Sequence, residues 1–469
     1  DSLCIVRFLI MILTRRIPQY LLMILASAAV FMDYLDTSIV SIALPAISAD
    51  FGAGSSTMSW VMTSYLLALG STLLLFGKLA DRTGHERLIF ILGFGLFTFV
   101  SFLCGMSASI VMLIVCRVFL GFAAAMMIST ATMFITTRLP ENMRGVGLGV
   151  IATSGGVALA LGPGIGGVLT EYISWHWIFF INIPVGIAGV LLSLVLIPKS
   201  EAKPRNKQPF DVGGALLLSA MLVSLLAGLE LGITYGWTLS VILLMILCAG
   251  TGFLFFRREL RHPDPVLSAK LLLNRTVMWA SLSTLLVTLV YLGVIYVMPF
   301  FFTGSYQIPI AAAGLIMLLP PVSMALIGIP AGALTGKFGC MRLCTIAAVI
   351  MAAGLLILAS GIFFGGMPLI FAGLLLIGLG MGLNEGPSIQ RITIHSPPEL
   401  QGSSGGLIFT VMNIGCILGV AVFSVAASWG SGSADVYSSA GIAFSCLIGF
   451  IAAFFAYVTS RLARDRNFC

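Results

Sequence analysis

The chain has 469 residues, of which 59% are apolar and only 9% charged, and its mean hydropathy is +1.11. A soluble protein carries roughly 25% charged residues, so a soluble enzyme, a nucleic-acid binder and a disordered chain are all excluded, despite the net charge of +7. At about 20 apolar residues per crossing plus a short connection, the length accommodates roughly 12 to 14 membrane helices.

Residues 1–14 are apolar but too short to span, contain Arg7 and lack a small-residue cleavage site, so no cleavable signal peptide is expected there. Apolar runs bounded by charges or turn residues then fall near 18–47, 57–77, 88–106, 109–136, 145–170, 177–197, 211–232, 238–256, 274–303, 311–335, 343–363, 367–390, 402–427 and 438–460. Runs this long and without alternation are helices, because helices satisfy their own backbone groups in lipid. The expectation is an all-α polytopic membrane protein with fourteen spans.

Placing the N-terminus in the cytoplasm puts 23 of the 24 Lys and Arg residues in inside connections and tails. The remaining one, Arg117, lies within the fourth span. This bias predicts cytoplasmic termini at both ends and an inner or plasma membrane location. The positive balance then reports topology and contact with anionic lipid, with no nucleic-acid partner.

The longest inside connections, near 198–210 and 257–275, flank the seventh and eighth spans. They divide the chain into a cytoplasmic segment (1–17), a six-helix bundle (18–197), an inserted helix pair (198–273), a second six-helix bundle (274–460) and a tail (461–469). A short repeat supports the two halves: Gly77-x-Leu79-x-x-Arg82-x-Gly84 recurs as Gly332-x-Leu334-x-x-Lys337-x-Gly339, each copy closing the second span of its half. Two similar halves around a central site are the common plan of secondary transporters.

The sequence contains no GxxxxGK[ST] phosphate loop and no HExxH pair. Transport would draw on an ion gradient or on the substrate's own gradient. The nine cysteines and four histidines lack metal-ligand spacing, so no metal and no cofactor are expected.

Ionisable groups inside membrane helices are costly and mark function. Asp33 and Asp36 stand three apart in the first span, near one helix face. Arg117 lies in the fourth span, Glu230 in the seventh and Glu385 in the twelfth. Asp36 and Arg117 sit at similar depths, roughly 12–15 Å from the outer end by helical rise, and could pair. On this reading Asp36 cycles between protonated and ionised forms, with Arg117 and Asp33 tuning it; the alternative is a static ion pair joining two helices. Glu385 is a candidate second proton or cation site, whereas Glu230, close to the outer interface, suits a structural role. In the fifth span Gly162 and Gly166 form a GxxxG face for close helix contact, and Pro163 removes one backbone hydrogen bond. Trp175 and Trp177 read as aromatic anchors at the outer interface.

Four motifs resemble a known family. Leu35-Asp36-Thr37-Ser38-Ile39-Val40-Ser41-Ile42-Ala43-Leu44-Pro45 is similar to LDxTIVNVALP, with Ser41 in place of Asn. Gly77-Lys78-Leu79-Ala80-Asp81-Arg82-Thr83-Gly84 resembles the loop motif GxLaDrxG. Gly162-Pro163-Gly164-Ile165-Gly166-Gly167 resembles the antiporter motif GPxxGG, and residues 175–184 resemble WRWIFxINxP. Together they identify the chain as similar, over nearly its whole length, to the major facilitator superfamily and its 14-spanner drug:proton antiporters. The resemblance implies two six-helix bundles with two extra central helices, rocking motion, and proton influx coupled to drug efflux. It assigns a latch to the Gly77, Asp81, Arg82, Gly84 loop, the antiporter motif to Gly162, Pro163, Gly166 and Gly167, and assistance in proton coupling to Arg117. The chain departs from the family at Leu120, where glutamine is usual, and at Gly336, which stands in the second half where Asp81 stands in the first.

The expected function is secondary transport by proton-coupled antiport, exporting lipophilic or cationic toxic compounds. The alternative is a narrow exporter of one metabolite, antibiotic or siderophore. A membrane enzyme would need a clustered catalytic set, and a sensor an appended soluble domain; the sequence supplies neither. The expected partners are small-molecule substrates, protons and the lipid bilayer, and the expected state is a monomer.

Overall fold

A computed structural model describes residues 2–197, 211–236, 238–262, 273–396, 401–429 and 437–463. The side chains of Asp81, Arg82 and Glu230, the connections 198–210 and 263–272, and the tail 464–469 lie outside the described residues.

Helix length here follows from the absence of charge over twenty or more residues, and helix ends coincide with turn chemistry. The chain forms α1 (Ser2–Phe51), α2 (Ser55–Thr83), α3 (Glu86–Gly105), α4 (Ile110–Arg138) and α5 (Glu141–Tyr172). Next come α6 in two pieces (Trp177–Phe180 and Asn182–Leu196), α7 (Val212–Tyr235) and α8 (Leu239–Glu259). The second half comprises α9 (Arg275–Phe300), α10 in two pieces (Ile310–Ile316 and Leu319–Phe338), α11 (Cys340–Phe364), α12 (Met367–Ile394), α13 (Gln401–Ser428) and α14 (Ser439–Leu462). The break in α10 falls just before Pro320 and Pro321, which cannot donate to a preceding turn. Ser109, Asp211, Asn274 and Ser438 cap their helices by accepting backbone N–H groups. Gly84 ends α2 at φ +64°, a left-handed conformation that a side chain would strain.

Thirteen helices among the described residues are long and apolar enough to cross a membrane. The fourteenth, α7, spans 24 residues, with its described apolar stretch at Gly213–Leu225. The segment set apart at 1–17 is helical from Ser2 and continues into the first span.

Packing follows two groups. In the first, α1 lies on α4 and α5, α2 on α4, and α3 on α4 and α6; in the second, α9 lies on α13 and α14, and α12 on α10 and α11. The groups meet at α5–α10, α2–α13 and α1–α9. Helix α7 touches both α2 and α13, while α8 packs mainly on α7 and turns most of its surface outward. Arg138 at the end of α4 pairs with Glu86 at the start of α3, and the neighbouring Arg87 donates to the Leu194 carbonyl of α6; the face they share is called the basic face below.

Candidate functional site

Three helices contribute one-turn pairs to a buried polar cluster. Helix α1 supplies Asp33 and Asp36, α2 supplies Val61 and Tyr65, and α4 supplies Arg117 with Gly121 one turn on. Gly121 lets α4 close on α2: a Cβ there would overlap the Tyr65 carbonyl oxygen and press on Ala68. Because of that approach, the Arg117 guanidinium reaches three partners. Its Nη1 pairs with the Asp36 carboxylate, its Nε donates to the Val61 carbonyl at 2.8 Å, and its Cζ lies 4.2 Å from the centre of the Tyr65 ring. Asp36 is 0% and Arg117 1% exposed. Removing either partner of such a pair leaves an uncompensated buried charge, at a cost of roughly 3–5 kcal/mol.

The rest of the cluster extends from this pair. Asn182, at the start of the second piece of α6, directs its Nδ2 toward Asp36 Oδ1 at 3.5 Å. Asp33 does not touch Arg117; its carboxylate accepts a hydrogen bond from the Tyr65 hydroxyl. The two aspartates are thus held by different donors, and Tyr65 connects them by touching both Asp33 and Arg117.

Glu385 stands apart from this cluster. It lies on α12 in the second half and is partly accessible, although its neighbour Asn384 is fully buried. Its carboxyl is within electrostatic range of Tyr34 on α1 and Tyr291 on α9, so it faces the gap between the halves.

The glycine motif of α5 has two faces. Gly162 and Gly166 press on Ser38, Ile39 and Ile42 of α1, inside the first half, and Ser38 Oγ reaches the Ala158 carbonyl of α5 at 3.3 Å. Pro163 and Gly167 face the other way. A Cβ on Gly314 of α10 would overlap the Pro163 carbonyl oxygen, and one on Gly167 would meet Ile310 and Ala311. Near the same end of α5, the Glu171 carboxylate accepts the Ile310 N–H at 2.9 Å. These contacts join the halves at the face opposite the basic one.

In the loop motif, Gly77 lies 3.6 Å (from a Cβ position) from Ser129 of α4, and Gly84 forms the cap described above. The Asp81 and Arg82 side chains lie outside the described residues. Trp175 differs from its reading as an interface anchor: it is buried, donates to Asp50 at 3.0 Å and stacks on His176, because Asp50 at the end of α1 offers an acceptor. Trp177 is exposed. Among the described residues, no group of three His, Cys, Asp or Glu side chains is placed to hold a metal.

Sequence reasoning missed Tyr65, Asn182 and the Val61 carbonyl. Asn182 carried a signal, as the asparagine of the WRWIFxINxP-like stretch. Tyr65 carried one too, as a polar aromatic at the depth of Asp33 on a neighbouring span.

The sequence matches the Major Facilitator Superfamily over residues 26–420. It is 33% identical over 410 residues to the riboflavin transporter RibZ of Clostridioides difficile, covering 87% of this chain and 88% of that protein. It is 30% identical to the tetracenomycin C resistance and export protein of Streptomyces glaucescens, over 85% of this chain and 74% of that one. The multidrug transporter MdtP of Bacillus subtilis is 32% identical, over 76% and 65% of the two chains. In fold, the chain superposes on a bacterial homologue of the lysosomal transporter Spinster in an inward-facing conformation, with TM-score 0.65, 16% identity, and 95% and 97% coverage. It also superposes on the Escherichia coli xylose transporter XylE, with TM-score 0.61, 13% identity, and 93% and 95% coverage. Two groups of six helices with two further helices, a charge cluster enclosed by the first group and relatives named as transporters or exporters lead to one assignment: the chain belongs to the major facilitator superfamily, among proteins named for multidrug and antibiotic export.

Proposed function

We propose that the protein exports lipophilic, often cationic, compounds by antiport with protons across the cytoplasmic membrane, with both termini inside. The observation that carries this reading is the Asp36–Arg117 pair, fully buried among α1, α2, α4 and α6. A buried carboxylate held by an arginine can be ion-paired, or protonated with the arginine released to other acceptors. Such a group converts proton occupancy into a change of helix packing. Asp33 takes part through Tyr65, and Glu385 serves as a proton or cation site on the opposite wall of the gap. On this reading the contacts of Pro163, Gly167 and Glu171 with α10 close the outer side. The Gly77–Gly84 loop, with Asp81 and Arg82, latches the halves in the alternate state.

The test is ethidium uptake into inverted membrane vesicles driven by an imposed pH gradient. Wild type is expected to accumulate the dye, and Asp36→Asn to fail at equal expression. Unchanged accumulation in Asp36→Asn would sink the assignment of Asp36, and no response to the gradient in wild type would remove antiport.

A second reading, transport of a single metabolite, is favoured by the RibZ relationship at 33% identity over most of both chains. A panel of unrelated dyes and drugs separates the two, since a narrow transporter moves none or one of them.

A further inference from the structure

We infer that Tyr65 is the positioning residue through which Asp33, the carboxylate nearer the gap, controls the Asp36–Arg117 pair. The inference rests on the antiport reading and deepens it.

The geometry assigns Tyr65 two jobs in one side chain. Its hydroxyl donates to Asp33, and its ring face carries the Arg117 guanidinium at 4.2 Å. A guanidinium this close to a ring face is attracted to it, and more strongly where water is excluded. Arg117 therefore has three supports: the Asp36 carboxylate, the Val61 carbonyl and the Tyr65 ring. Two of them come from α2, one turn apart. The ring itself is packed without slack, since α4 lies on the Tyr65 backbone at Gly121 and Tyr65 is fully buried.

The two aspartates differ in what they can meet. Asp36 is sealed behind Arg117 and Asn182. Asp33 retains slight exposure and lies within electrostatic range of Cys416 on α13, in the other half. The titratable and charged groups around Asp33 are Tyr34 and Asp36 on its own helix, Tyr65 from α2, Arg117 from α4 and Cys416 from α13. A proton or a cation arriving through the gap meets Asp33 before Asp36. The hydrogen bond from Tyr65 is charge-assisted while Asp33 is ionised, and roughly halves in strength once it is neutral. The ring is then released to turn, Arg117 loses one of its three supports, and the pair with Asp36 opens more readily. No other side chain in the described cluster touches both Asp33 and Arg117.

The test uses purified full-length protein in proteoliposomes, with ethidium as the probe and two assays: accumulation driven by a pH gradient, and ethidium exchange without any gradient. Tyr65→Phe keeps the ring and removes the hydroxyl. It is expected to lower gradient-driven accumulation about tenfold or more, and exchange by a smaller factor. Asp33→Asn should give the same pattern, and the double variant should be no worse than either single one, as expected for residues acting as one unit. Tyr65→Leu removes the ring as well and should lower exchange too. The inference is overturned if Tyr65→Phe accumulates ethidium like wild type while Asp36→Asn does not. It is also overturned if Tyr65→Phe loses both activities in equal proportion, or if the losses of Tyr65→Phe and Asp33→Asn multiply. Wild type that exchanges ethidium but ignores the gradient removes the antiport reading, and the inference with it.

Discussion

Gly314 of α10 lies so close to the Pro163 carbonyl of α5 that no side chain fits between them. The two belong to different halves, so their contact exists only while the face opposite the basic one is closed. Gly314→Ala should hold that face apart. We expect ethidium transport to fall about tenfold, a penalty of about 1.4 kcal/mol on the closed state. A membrane-impermeant maleimide should label Tyr34→Cys faster, in a background without native cysteines. Gly164→Ala is the control: its Cβ would sit 3.6 Å from Leu318, an ordinary contact, and transport should be near normal.

The other face of the same motif predicts a different defect. Gly162 abuts Ser38 within one half, so Gly162→Ala overpacks a contact that does not open. The expected result is a stability loss of roughly 1–3 kcal/mol, seen as a lower melting temperature in detergent. Ser38→Gly in the same molecule should restore part of it.

Much of this arrangement was legible beforehand, for a physical reason. Charge is so costly in lipid that a chain of this composition writes its spans and its buried ionisable groups plainly, and equal depth from the helix ends was enough to suggest that Asp36 and Arg117 could meet. Depth does not give azimuth. It could not tell that Asp33 turns toward Tyr65 rather than toward Arg117, nor that Glu385 joins none of them. The GxxxG spacing likewise pointed to Gly162 and Gly166 as a close-packing face, yet the residues that reach the other half are their neighbours Pro163 and Gly167. Helical phase relative to a partner is a tertiary property, set by which helix comes to lie on which side.

Arg117→Lys tests the fork geometry. Lysine offers a point charge and cannot serve both the Val61 carbonyl and Asp36 from separate nitrogens, nor spread over the Tyr65 ring. Gradient-driven ethidium uptake in inverted vesicles should fall about tenfold or more. Wild-type uptake would show that charge alone is sufficient at this position.

Arg391 predicts a purely structural effect. It is buried on α12 and donates to the carbonyls of Ser460, at 3.1 Å, and Ala463, ending α14. Arg391→Met should cost roughly 1.5–3 kcal/mol through the lost charged hydrogen bonds, read as a lower melting temperature. Transport per folded molecule should be unchanged.

The inserted helices make the molecule unequal on its two flanks. Helix α7 lies across the α2–α13 junction and is fastened there by the Ser219 hydroxyl, which donates to the Ser71 carbonyl at 2.6 Å. Among the described elements, nothing comparable covers the α5–α10 junction. The two seams between the halves are therefore unlike: one is shuttered by an inserted helix, and the other is left bare.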